Sequence, residues 1–287
     1  ADIPLQFPHN GQDYPLVWRM QGLQIASSIS LPGLVPGWAV RSLGDFNGAG
    51  SNDLLLQSGQ QLALWFLQGT QFLGGGNITP ALESGWTVSP TGDFNGDGKA
   101  DILLQNDRQL SIQFINGTNV LGISGTTTSP LSQGWAVVGT GDFNGDGKSD
   151  ILLRNGQQLA EWLMNSRSIL PESGGINAPL GVGWAVAGTG DFNGDGKSDI
   201  LLRNGQQLAI WPMNGTSLLG AGNNISPPLE TGWEVVRTAD YNGDGKSDIL
   251  LQNDRQLALW FMNGTQILAG SGNIKTTLDM PGLAPVR

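Results

Sequence analysis

Short β-prone runs of four to seven residues alternate along this chain with polar turn chemistry, and the alternation returns at a fixed interval. One unit opens on a Gly-Trp pair, at Trp38, Trp86, Trp135, Trp184 and Trp233, and seven residues later comes an aspartate: Asp45, Asp93, Asp142, Asp191 and Asp240. Next come Asp-Ile-Leu-Leu (Asp150 to Leu153), a polar turn, and Gln-Leu-Ala-x-Trp-x-Met (Gln207 to Met213 in the following copy). An Asn-Gly turn, a short Leu-containing segment and a Gly/Pro-rich linker close the unit. These pieces predict four antiparallel strands. Asn155-Gly156, Asn204-Gly205, Asn116-Gly117, Asn214-Gly215 and Asn263-Gly264 read as type I′ hairpin turns. In Leu257 to Met262 neither alternate set is polar, as expected of a sheet stacked between two others; a two-layer sandwich leaves one face wet.

The Trp-to-Trp spacings of 48, 49, 49 and 49 residues make each unit a candidate propeller blade. The two ends are complementary. Ala1 to Gln6 matches Ala100 to Gln105, a second strand, and Trp18 to Gly22 matches Trp65 to Gly69, part of a third. Pro281 to Val286 resembles Pro36 to Val40, the beginning of a first strand. The expectation is therefore an all-β, six-bladed β-propeller of four-stranded antiparallel blades, its ring closed by the C-terminal strand joining the N-terminal strands. It forms one domain over 1–287: a composite blade of 1–34 plus 278–287, then blades of about 35–82, 83–131, 132–180, 181–229 and 230–277. An open solenoid is the alternative, but it does not need complementary ends.

Composition supports the all-β reading and removes several functions. Glycine (44) and proline (15) are frequent and charged residues make up only 13%, which suits turns rather than long solvated helices. With no cysteine, disulfides and thiolate metal sites are impossible. A net charge of −10 argues against nucleic acid. No apolar run is long enough to cross a bilayer, and no basic-then-apolar leader opens the chain, so we expect a soluble chain whose export signal has been removed.

The acidity is local. Four loops read Asp-x-Asn-x-Asp-Gly-x-x-Asp, and their expected cation ligands are Asp93, Asn95, Asp97, the Lys99 carbonyl and Asp101; Asp142, Asn144, Asp146, the Lys148 carbonyl and Asp150; Asp191, Asn193, Asp195, the Lys197 carbonyl and Asp199; Asp240, Asn242, Asp244, the Lys246 carbonyl and Asp248. Such an all-oxygen set suits calcium, and three carboxylates within nine residues repel one another without a cation. Turn formation alone also favours Asp, Asn and Gly. An EF-hand needs a glutamate at position twelve, where Leu104, Leu153, Leu202 and Leu251 stand. The first loop keeps Asp45, Asn47 and Asp53 but has Ala49 at position five, which predicts weak or absent binding there.

On these loops and the Gly-Trp strand, nearly the whole chain resembles the FG-GAP or VCBS-type repeats of integrin α-subunit propellers, fungal propeller lectins and bacterial surface proteins. That resemblance implies that each aspartate loop joins the first two strands of a blade and holds calcium, giving about four sites.

Other residues are less telling. The tryptophans recur once per blade, in the first strand and again at Trp65, Trp162, Trp211 and Trp260 in the third, which favours packing between blades over sugar stacking. Gln113 stands where the third-strand tryptophan is missing, predicting a different surface there. Gln61, Gln109, Gln158, Gln207 and Gln256 are expected to satisfy backbone groups, and Arg154 and Arg203 to be solvated strand ends. The lone histidine, His9, falls in an irregular N-terminal segment, and no recognisable motif pairs the unassigned acids Glu83, Glu161, Glu230 and Glu234, so no catalytic constellation is read from the sequence. The expected role is a noncatalytic, calcium-stabilised binding or adhesion module, lectin-like and monomeric, recognising a glycan or surface protein outside the cell. The alternatives are a structural scaffold or spacer, and a polysaccharide-active, lyase-like enzyme.

Overall fold

A computed structural model of the chain describes residues 2–9, 12–69, 71–126, 130–220, 222–254, 256–275 and 284–285. Its strands form six four-stranded antiparallel sheets, a six-bladed β-propeller. In the blade that begins at the third Gly-Trp pair of the sequence, Gly134-Trp135, the strands are Ala136–Gly141, Asp150–Asn155, Gln158–Trp162 and, in the outer position, Gly174–Gly175. The second and third strands are the buried ones, because both of their faces meet another blade: Ile151, Leu152, Leu153 and Leu159 are all at most 2% exposed. No helix among the described residues is long and apolar enough to cross a membrane.

The composite sheet carries the strands Gln24–Ser30, Gln12–Gln21, Asp2–His9 and Ala284–Pro285 in that order. Leu5 lies opposite Pro285 and Gln6 opposite Ala284, so the last strand takes the first-strand position beside the N-terminal three. The rest of the segment 278–287 lies outside the described residues. His9 ends a strand instead of lying in an irregular segment, because Asp2–His9 pairs along its full length with Gln12–Arg19.

Six apolar clusters fill the spaces between consecutive blades, each drawing on two neighbours. Around the axis the first strands are also joined by hydroxyls. Ser42 Oγ lies 2.7 Å from Thr91 Oγ1, and Thr140, Thr189 and Thr238 each donate to the carbonyl of the threonine one blade back, at 2.6–2.9 Å.

Three local expectations are corrected. In the second hairpin turns Asn155 pairs with Gln158 and Asn204 with Gln207, so glycine is the first central residue and only it has positive φ (59° at both Gly156 and Gly205). That is the type II′ arrangement, not type I′. The third strand breaks after Trp162, Trp211 and Trp260. Pro212 has no N–H to pair at its break, while the N–H groups of Leu163 and Phe261 turn to the Ser173 and Ser271 hydroxyls.

Arg154 and Arg203 are not solvated ends. Each is half-buried, donates to the glycine of its own turn, and reaches across to the Trp184 or Trp233 carbonyl of the following blade at 3.1 and 3.0 Å. A charged donor removed from such a bond costs about 1.5–3 kcal/mol. Arg203→Ala should therefore lower the melting temperature by several degrees, and an unchanged melt would show that the clamp contributes nothing. The glutamine expectation holds at Gln61 and Gln207, whose amides donate to two backbone carbonyls each at 2.8 Å.

Candidate functional site

Every aspartate loop joins a first strand to a second, and its own backbone organises it. The position-one carboxylate accepts N–H bonds from the glycines at positions four and six: Asp93 from Gly96 at 2.7 Å and Gly98 at 2.8 Å, Asp142 from Gly145 and Gly147, Asp191 from Gly194 and Gly196, Asp240 from Gly243 and Gly245. The φ angles of Gly96 and Gly98, 75° and 81°, are what turn those N–H groups inward. Asn95, Asn144, Asn193 and Asn242 accept the N–H of position five. Asp97, Asp146, Asp195 and Asp244 accept that of Lys99, Lys148, Lys197 and Lys246 at 2.9 Å.

Position nine is different because it is buried. Asp101, Asp150, Asp199 and Asp248 are fully inaccessible. One oxygen of each accepts the N–H of the loop aromatic (Phe94, Phe143, Phe192, Tyr241) and the other an N–H of the third strand (Ile115, Met164, Met213, Met262), at 2.7–3.0 Å. Desolvation pushes Asp101 and Asp150 up to about 7, and Asp199 and Asp248 up to about 6; the N–H bonds oppose this and the neighbouring carboxylates add to it. Among the described residues the lysine ion pairs go to position five, Lys99 to Asp97 at 3.8 Å and Lys148 to Asp146 at 3.7 Å, and none reaches position nine.

The loops thus hold oxygen donors of the kind calcium takes, with buried acidity and no cationic partner for it, and the donor chemistry fits a hard divalent cation. Among the described residues, however, no group of three or more His, Asp or Glu side chains converges as a cage, because the carboxylates are turned to backbone N–H groups. The first loop keeps the same scaffold without a fifth-position carboxylate: Asp45 accepts from Gly48, Ala49 and Gly50, Asn47 from Ala49, and buried Asp53 from Phe46 and Leu67. Burial pushes Asp53 up to about 6. Loop shape therefore does not depend on Asp at position five.

The tryptophans neither vanish into the core nor stand free. Trp38 and Trp65 are half-buried against one apolar cluster and line one cleft of about 200 Å3, with Asn77 beside them. Trp233 and Trp260 do the same in a cleft of about 410 Å3 whose polar groups are Glu230, Asn253, Gln256 and Asn273. Trp184 with Trp211, and Trp135 with Trp162, share clusters in the same way, while the blade of Trp86 carries buried Gln113 in its third strand instead. That Gln113 surface differs as expected, since its Oε1 has no partner.

The sequence reading left Glu161 as an unassigned acid and did not foresee its burial. It is fully buried, neither carboxylate oxygen has a partner, and desolvation, with Asp150 adding to it, pushes it up to about 9. The signal was present: the equivalent residues are Leu64, Ile112, Ile210 and Leu259, all buried.

The FG-GAP-like repeat family matches residues 45–104, 93–153 and 191–251. No curated protein matches the chain. Among solved structures it is similar to the Tc holotoxin pore of Photorhabdus luminescens (15% identity, TM-score 0.54), covering 94% of this chain but only 14% of that one. It is also similar to an Agrocybe aegerita lectin described as specifically recognising non-reducing terminal N-acetylglucosamine (11% identity, TM-score 0.58, 96% of this chain and 80% of that). A third is a nidogen/laminin complex (9% identity, TM-score 0.51, 96% and 94%). At such identities the likeness concerns the fold alone.

Proposed function

This chain belongs to the FG-GAP-like repeat family, and from that premise we propose that it is a noncatalytic, calcium-stabilised binding and adhesion module that recognises glycans through its paired-tryptophan clefts. The observation that carries the reading is the Trp233–Trp260 cleft, where two half-buried indoles stand beside Glu230, Asn253, Gln256 and Asn273. Indole faces supply apolar area for a sugar ring, and the carboxylate and amides can exchange hydrogen bonds with its hydroxyls. Related clefts on two blades, at Trp38–Trp65 and Trp233–Trp260, suit weak contacts repeated across a surface. The fold-level similarity to a lectin and to a nidogen/laminin complex supports the same class of partner, glycan or surface protein.

Calcium would be held by the side chains at positions one, three, five and nine and the carbonyl at position seven of the four intact loops, with the loop at Asp45 weaker. When bound it supplies positive charge to buried carboxylates, fixing each first strand to its second. Loops of modest affinity stay filled where calcium is abundant, which favours a place outside the cell or on its surface.

A glycan array probed with the calcium-loaded protein should give a defined set of binders. Trp233→Ala should weaken binding to a chosen hit by about tenfold, or about 1.4 kcal/mol, in calorimetry. Incubation with polysaccharides should release neither reducing ends nor unsaturated products. A blank array, or unchanged affinity in the folded variant, would sink the glycan reading.

A further inference from the structure

Neighbouring aspartate loops touch through their backbones, at the residues that flank their oxygen donors. The carbonyl of the position-one aspartate accepts the position-eight N–H of the next loop: Asp45 from Ala100, Asp93 from Ser149, Asp142 from Ser198 and Asp191 from Ser247, at 2.6–2.7 Å. Position one offers its carboxylate to a cation, and position eight lies between the position-seven carbonyl and the position-nine carboxylate. One short bond therefore ties a donor residue of one loop to two donor residues of the next.

The seam is tight because a glycine precedes each of these four aspartates. Ala100, Ser149, Ser198 and Ser247 lie against Gly44, Gly92, Gly141 and Gly190, where a Cβ would run into their side chains. The position-seven lysine adds a second contact: the stem of Lys197 covers Gly145 of the preceding loop, 3.3 Å from where a Cβ would stand. A close-packed contact of this kind has little play, so a loop held in one geometry restricts its neighbour. Charge acts the other way. An empty loop, with three aspartates and one lysine, carries a net −2 that helps draw a cation to the loop beside it, and filling it removes that pull. Positions four to six are exposed, so salt screens this opposing effect over about 8 Å at physiological ionic strength, while the backbone seam is not screened.

We propose that the aspartate loops take up calcium cooperatively, each filled loop ordering the next through the bond between position one and position eight. The first cation pays the entropy of fixing the seam, and the second binds a loop already half ordered. This rests on the calcium reading above and is independent of the glycan clefts.

The test is hydrogen exchange of the whole chain at pH 8 and physiological salt over a series of free calcium concentrations, with the calcium midpoint of each loop read from its own amides. In the parent the four intact loops should gain protection together, with a Hill coefficient above 1 that falls as salt is lowered. Asp146→Ala copies position five of the first loop, where Ala49 leaves the scaffold intact. It should weaken the Asp142 loop and raise the midpoints of the loops at Asp93 and Asp191 by at least about fivefold, and that of the loop at Asp240 by less. Adding Gly141→Ala, which wedges Ser198 from the Asp142 loop, should leave the Asp191 loop indifferent to Asp146→Ala while the Asp93 loop still responds. Asp146→Ala decides alone if Gly141→Ala folds poorly. Independent loops with a Hill coefficient of 1, or neighbours unmoved by Asp146→Ala, would overturn the cooperativity and leave calcium binding standing. Loops that gain no protection at any calcium concentration would sink the calcium reading itself.

Discussion

Chelating calcium at pH 8 is expected to lower the melting temperature by about 10 °C or more, and at pH 5 to change it little. Each intact loop gains up to about 2.7 kcal/mol when free metal is a hundred times its dissociation constant, so four loops reach about 11 kcal/mol together, and each kcal/mol is worth about 2–4 °C in a chain of this size. The pH dependence follows from the position-nine aspartates. Without metal their folded pKa values, about 6 to 7, lie above the ordinary value of 3.8. Between those limits the folded state holds more protons than the unfolded one, so metal-free stability falls as pH rises from about 4 to 7. A bound dication offsets that loss, and its benefit grows across the same window. Melts at several pH values, with and without chelator, measure the difference. Curves that coincide at pH 8 would leave the loops as turns only.

Glu161→Leu should make the protein more stable and less sensitive to alkali. A buried carboxyl with both oxygens unpartnered resists ionisation, and its pKa of about 9 against an ordinary 4.5 means that stability declines as pH rises through this interval. At pH 7 the penalty is about 3 kcal/mol and above pH 9 about 6 kcal/mol, both upper values. Leucine occupies the equivalent position at Leu64 and Leu259 at 0% exposure, so the space accepts it. Chemical denaturation at pH 7 and pH 9 should show the gap between variant and parent widening with pH. Glu161→Gln separates charge from polarity: it should flatten the pH dependence while keeping the cost of an unpaired polar group. A parent protein as stable at pH 9 as at pH 6 would overturn the reading of this residue.

How far the sequence could be read differs between these two cases. The aspartate loops were legible because their donors lie within nine residues, where chain connectivity alone brings Asp93 near Gly96 and Gly98. Their deeper property was not. Asp101 looks like a loop residue, but its burial comes from Ile115, fourteen residues on, and from the following blade packed over the strand. Arg154 and Arg203 fell in a slot filled elsewhere by glutamine and read as solvated, since their acceptors, Trp184 and Trp233, are thirty residues away in the next blade. Glu161 was visible as an acid in an apolar slot, yet only the neighbouring blade makes that slot dry.

By itself, then, the sequence determined the repeat, the four strands of each blade, the ring closed between its two ends, and the position of the acidic loops. These follow from local alternation and turn chemistry, which act within a few residues and recur every 48 or 49. What lies between blades was decided only in three dimensions: the hydroxyl chain from Ser42 to Thr238, the half-exposed tryptophan clefts and the solvent-free carboxyl of Glu161. Each depends on which residues a whole neighbouring sheet places opposite, and burial and hydrogen-bond pairing exist only once that sheet is in place.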